Sequence, residues 1–314
     1  MSTPFDSGKV IVHRVSDSNL SAFLVGFDIN DNGNKYYRVE ELIKKLTNVI
    51  PEFAFGFHAG ANTDNTDLIS KVSESAKLIY NIDVFQKVKD IYLGNDGSIN
   101  DELKEKYLRR GEFGELILHL LLRDFHNTTP LLSKIFFKDS LGHAVHGFDA
   151  VHIEPETRTL WLGESKIYMD AKAGLRELVK DIKEHFIADY MDSEFMLISK
   201  KVMSFDSPEI PEKEHWVSLL DGSTKLSEKL SQINIPLLCT YNSDLFSRYD
   251  DENDEDFSNE FMSEIEELED YFNEKNDHPL KSNLNIILIL FPVKNKIELV
   301  KGLHRKLSFM QELG

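Results

Sequence analysis

Gly147-Phe148-Asp149-Ala150-Val151-His152-Ile153, then the turn Glu154-Pro155-Glu156-Thr157-Arg158, then Thr159-Leu160-Trp161-Leu162-Gly163-Glu164-Ser165-Lys166-Ile167, reads as two strands joined by a short connection. Side chains two apart on a strand share a face. Glu164 and Lys166 therefore aim at one point, and Asp149, fifteen positions before Glu164, approaches it from the neighbouring strand. Two carboxylates and an ammonium around one point suit Mg²⁺-dependent hydrolysis of a phosphodiester, because Mg²⁺ takes oxygen ligands and a bound water becomes acidic. The competing reading is a surface hairpin with a Glu164/Lys166 ion pair and a solvated Asp149.

Working outward, apolar spacing at Phe113, Ile117, Leu120 and Leu121 predicts a helix ending near Phe125, stopped by Asn127 and Pro130. Strands are expected at 134–137, 146–153 and 159–167. A helix follows over 171–186, with Leu175, Leu178, Val179, Ile182 and Phe186 on one stripe, and then a strand over 194–200. The strand near Leu237, the strand 284–293 and a last helix over 298–313 complete the chain. The expected fold class is α/β, a restriction-endonuclease-like central mixed sheet flanked by helices. Residues 1–100 are expected as an N-terminal α+β elaboration, and 101–314 as the core with an acidic insertion at about 244–277.

The chain of 314 residues is long enough for a full core, and its net charge is −18. Residues 244–277 hold 15 Asp/Glu against 2 Lys/Arg, which leaves −5 for the remainder. A locally basic face is thus compatible with the composition, and weak intrinsic affinity for nucleic acid points to help from a partner. Residues 1–7 carry neither a basic nor an apolar run, the longest apolar stretch, 286–293, is too short for a bilayer, and the lone Cys239 lies in an apolar run. These features suggest a cytoplasmic protein without membrane insertion. The sequence contains no phosphate-cradling glycine loop, G-x-S-x-G or C-x-x-C.

Three separated blocks, Gly111-Glu112-Phe113-Gly114-Glu115, 146–152 and 160–166, together closely resemble the HamA family, the nuclease subunit of bacterial Hachiman anti-phage systems, within the PD-(D/E)xK superfamily. The resemblance is firm over about 105–200. Phe148 stands where the superfamily has a proline, which supplies no ligand. The resemblance implies a metal-dependent DNase working with a HamB-type helicase partner. Asp149, Glu164 and Glu115, with the Ser165 carbonyl, are the expected Mg²⁺ ligands, with Mn²⁺ as a substitute. Lys166 is expected to orient water or stabilise the crowded phosphate. The alternative is a non-catalytic adaptor that docks DNA or the helicase on the same fold.

Three further features have two readings each. His143, His146 and His152 could form a zinc cluster, or His152 could be a core histidine. Lys172, Arg176, Lys180 and Lys183 form a basic stripe that either contacts DNA phosphates or is a salt-bridged surface, since Glu177, Asp181 and Glu184 interleave with it. The acidic segment has apolar spacing at Phe257, Phe261, Ile265, Leu268 and Phe272, which predicts a docked helix. Its negative face either only solubilises the protein or covers the DNA path.

Overall fold

The computed structural model describes residues 7–61, 65–79, 111–133, 147–204 and 210–314. Its centre is a seven-stranded mixed sheet in the order β1-β2-β9-β8-β7-β6-β5. The strands are β1 (Ile11–Ser16), β2 (Leu20–Val25), β5 (Thr129–Ser133), β6 (Ala150–Glu154), β7 (Thr159–Ile167), β8 (Ile233–Asn242) and β9 (Asn285–Val293). Strands β2, β9, β8 and β7 run parallel, while β1, β6 and β5 pair antiparallel at the two edges. A small second sheet joins β3 (Phe27–Ile29) to β4 (Lys35–Tyr37). Gly33, at φ 77°, makes its turn in a conformation that side chains resist.

The helices are α1 (Val39–Ala61), α2 (Leu68–Ile79), α3 (Gly111–Phe125), α4 (Ala171–His185), α5 (Ala188–Ser204), α6 (Lys213–Leu219), α7 (Leu226–Leu230), α8 (Leu245–Arg248), α9 (Glu255–Lys275) and α10 (Lys296–Glu312). They lie on both sides of the sheet, so β8 and β9 are apolar on both faces, as buried parallel strands are. Leu237 and Leu290 enter the core shared with α4, α5 and α9, whereas Leu238 and Ile289 enter the core under α1, α2, α3 and α10.

Two expectations change. The run 194–200, expected as a strand, lies inside α5: Met191, Phe195, Ile198 and Val202 are buried at helical spacing, and a short apolar run cannot by itself distinguish the two periods. The parallel neighbour of β7 is instead β8. Pro130, expected only to end a helix, lies in β5, an edge strand, where a missing N–H is tolerated. The strand expected at 134–137 lies outside the described residues. Within 1–100, β1 and β2 extend the central sheet itself, with β2 beside β9.

Candidate active site

Strand β7 sorts its side chains by parity. Leu160 and Leu162 face the α4 core and Trp161 and Ile167 face the α3 core. Glu164 and Lys166 therefore point toward α4 and Ser165 toward α3. The sheet positions them closely: a Cβ on Gly163 would come within 2.7 Å of a Leu118 methyl, and one on Gly114 within 3.1 Å of Ser165 Oγ.

Asp149 stands just before β6, where its N–H donates to the Gly163 carbonyl at 2.9 Å. Its Oδ2 accepts from both the backbone N–H and the hydroxyl of Ser165, each at 2.9 Å. A strand residue's N–H and C=O leave on the same side. The Ser165 carbonyl thus opens toward Asp149, beyond the Ala150/Gly163 pair that begins the β6/β7 ladder. Opposite this face of β7, α4 begins with Asp170 capping Ala173 N–H at 2.7 Å, worth about 1 kcal/mol. Leu175, Leu178 and Ile182 then bury it against the sheet. Its last two turns deliver Asp181, ion-paired with Lys166 Nζ, and His185, whose Nδ1 lies 2.7 Å from Glu164 Oε1.

The electrostatics follow from burial. Glu164 is only 2% exposed. Burial first, and the Asp149 charge next, push its carboxyl up to about 7, and the hydrogen bond from His185 recovers part of that rise. For Lys166, burial opposes the charge, but Asp181, Asp149 and Glu164 outweigh it and hold the ammonium above the ordinary lysine range. It is a cation at neutral pH and has no free pair to act as a base. Burial likewise raises the Asp181 carboxyl, with Lys166 pulling the other way.

Asp149, Glu164 and Lys166 lie within electrostatic reach of one another. Glu115 is buried on α3, on the other side of the sheet. His119, one turn later on α3, meets the His152 ring edge-on at 5.1 Å, so Glu115 lies level with the start of β6. Among the described residues no group of three His, Cys, Asp or Glu side chains is arranged to hold a metal ion. His143 and His146 lie outside the described residues. His152 is a core histidine bonded to Thr128 Oγ1 at 2.8 Å, and burial holds it well below the ordinary range.

The basic stripe of α4 faces α9. Lys172 pairs with Glu267 at 2.6 Å, Lys183 with Asp277 at 2.5 Å, and Arg176 Nη1 donates to Tyr271 Oη at 3.1 Å. Lys180 lies 3.9 Å from Glu184. The helix α9 is docked by the apolar stripe expected of it, with Phe257, Phe261, Ile265, Leu268 and Phe272 all buried. Sequence reasoning missed Asp181 and His185. Their signal was present: both flank the apolar stripe of α4, four residues apart, within two turns of its C-terminal end.

The donor set fits a hard divalent cation. It consists of oxygen: two carboxylates close enough that one raises the other, and the Ser165 carbonyl on the strand edge that faces Asp149. Mg²⁺ needs no more, since it binds through one or two carboxylates and keeps several waters.

A mixed sheet with helices on both faces, carrying an acid just ahead of one strand and acid-x-lysine on the next, defines an α/β protein of nuclease-like architecture. The chain belongs to the HamA family, whose sequence profile matches residues 5–307. Membership points to a role in Hachiman defence. No curated protein matches the chain. No helix among the described residues is long and apolar enough to cross a membrane.

Proposed function

We propose that this protein is a Mg²⁺-dependent deoxyribonuclease that acts in Hachiman defence together with a helicase partner. The observation that carries the reading is Glu164, a carboxylate buried against a second carboxylate, with Lys166 on the same strand face. Burying such a pair is expensive unless a cation or proton compensates it. A binding-only adaptor gives no reason to retain that arrangement.

In this reading Asp149, Glu164 and the Ser165 carbonyl are the protein's ligands. The cation, when bound, neutralises charge on the scissile phosphate and acidifies a bound water. Ser165 fixes Asp149 through two hydrogen bonds, so that carboxylate is oriented before any ligand arrives. Lys166, held protonated, offers its N–H donors to a phosphate oxygen as charge builds there. DNA meets the site at Lys166, whose side chain is a quarter exposed.

The test is digestion of supercoiled plasmid and linear DNA, with and without Mg²⁺, by the wild type and Glu164→Ala in the presence of the helicase encoded beside it. Mg²⁺-dependent cleavage by the wild type and none by the variant is expected. Equal cleavage by both, or cleavage indifferent to Mg²⁺, removes the proposal.

A further inference from the structure

Helix α4 places two ionisable side chains on an otherwise apolar inward face, Asp181 and His185, four residues and therefore about one turn apart. Glu164 and Lys166 stand two apart on β7, on the face that looks at this helix. The two pairs meet in register, Asp181 with the Lys166 ammonium and His185 Nδ1 with Glu164 Oε1 at 2.7 Å. A carboxylate at that place has no packing role. Asp181 is 8% exposed among Leu178 and Ile182, where a leucine would bury more apolar surface.

The His185 ring is itself held. It stacks on Tyr190 at 4.7 Å with an interplanar angle of 13°, and Phe148, beside Asp149, meets it edge-on at 6.5 Å. Phe148 in turn packs against Phe186 at 5.3 Å. An imidazole fixed between these rings can donate to Glu164 in only a narrow range of directions. Lys166 has four rotatable bonds and loses rotamer freedom when held, so an ion pair that pre-orders it lowers the entropy lost at the moment of reaction.

We infer that Asp181 and His185 are positioning residues of the active site, Asp181 fixing the Lys166 ammonium and His185 fixing the Glu164 carboxylate, neither touching the substrate. The inference rests on the phosphodiesterase reading and deepens it. It makes α4 a part of the site and not only a cover for the sheet. Carboxylates that ligate metals are commonly oriented by such outer hydrogen bonds, and losing one costs about 10- to 100-fold in metal affinity.

The experiment pairs two readouts. Asp181→Asn keeps the side-chain shape and removes the charge, and Asp181→Glu restores it. His185→Phe keeps the stack on Tyr190 without the donor, and His185→Asn returns a donor near the Nδ1 position. Steady-state DNA cleavage gives kcat and KM, and calorimetric titration with Mn²⁺ alone gives metal affinity.

The expected result is a kcat about 10²-fold lower for Asp181→Asn with KM unchanged, recovered in part by Asp181→Glu. Mn²⁺ affinity should fall about tenfold or more in His185→Phe, recovered in part by His185→Asn. Wild-type kcat in Asp181→Asn overturns the role of Asp181, and wild-type Mn²⁺ affinity in His185→Phe overturns that of His185. A wild type that cleaves no DNA sinks the phosphodiesterase reading and Asp181's role with it, while the Mn²⁺ titration still decides His185.

Discussion

Replacing Glu164 by Gln should stabilise the protein without metal, and only at high pH. The amide is close in shape to a protonated carboxyl and never ionises. Burial and the Asp149 charge raise the Glu164 carboxyl from 4.5 to about 7. Between those values the folded state binds more protons than the unfolded one, so stability falls as pH rises through the window. Above it, ionised Glu164 costs the wild type about 3 kcal/mol at 1.36 kcal/mol per unit, and below about pH 5 the cost is about 1 kcal/mol or less. At about 2.1 cal/mol/K per residue, a chain of 314 residues changes Tm by about 1.5 °C per kcal/mol. Scanning calorimetry in chelator should therefore find Glu164→Gln about 4–5 °C more stable than wild type at pH 8 and about 1 °C or less at pH 5. Adding Mg²⁺ at pH 8 to about a thousandfold excess over Kd should reverse the order, because only the wild type gains from binding, by about 4.1 kcal/mol. Equal stabilities at both pH values, or a less stable variant at pH 8, would refute the electrostatic account of the site.

Three other outcomes follow from the same geometry. Lys166→Met should abolish cleavage and destabilise the protein by about 2 kcal/mol, less than the full value for a buried pair because the ammonium is partly exposed; in Lys166→Met/Asp181→Asn, urea titration should show the stability restored while cleavage stays absent. Removing charge from the cover, Glu267→Gln with Asp277→Asn, releases Lys172 and Lys183, so the salt dependence of DNA binding should steepen by about 1.8 in log–log slope, and an unchanged slope would return the α4 stripe to ordinary surface. Phe261→Ala should cost about 3–5 kcal/mol in chemical denaturation, since α9 is built into the core; a cost below about 1 kcal/mol would mean that the acidic helix is only appended.

How far the sequence led is clearest at particular residues. Asp149, Glu164 and Lys166 were legible because strand periodicity alone puts Glu164 and Lys166 on one face, and a hairpin leaves Asp149 little choice of neighbour. The docking of α9 was legible from five apolar residues at helical spacing. Asp181 and His185 were not, because an acid between Lys180 and Lys183 reads as half of a surface ion pair until the helix is rotated onto the sheet. The strand expected at 194–200 became α5 because Phe195 to Ile198 is apolar without alternation, and only the buried Met191 and Val202 on either side set the helical period. The basic stripe was legible as a stripe. That its partners are Glu267, Tyr271 and Asp277, nearly a hundred residues on, is a property of the packing alone.

The central claim is that Asp149 and Glu164 share a divalent cation at the end of β7. A crystal of the wild-type protein grown at pH 8 and soaked in Mn²⁺, with diffraction recorded at the manganese edge, tests it directly. The expected result is an anomalous peak in coordination distance of both carboxylates and the Ser165 carbonyl, lost in Glu164→Gln. A map with manganese peaks elsewhere and none between these two side chains would contradict the account.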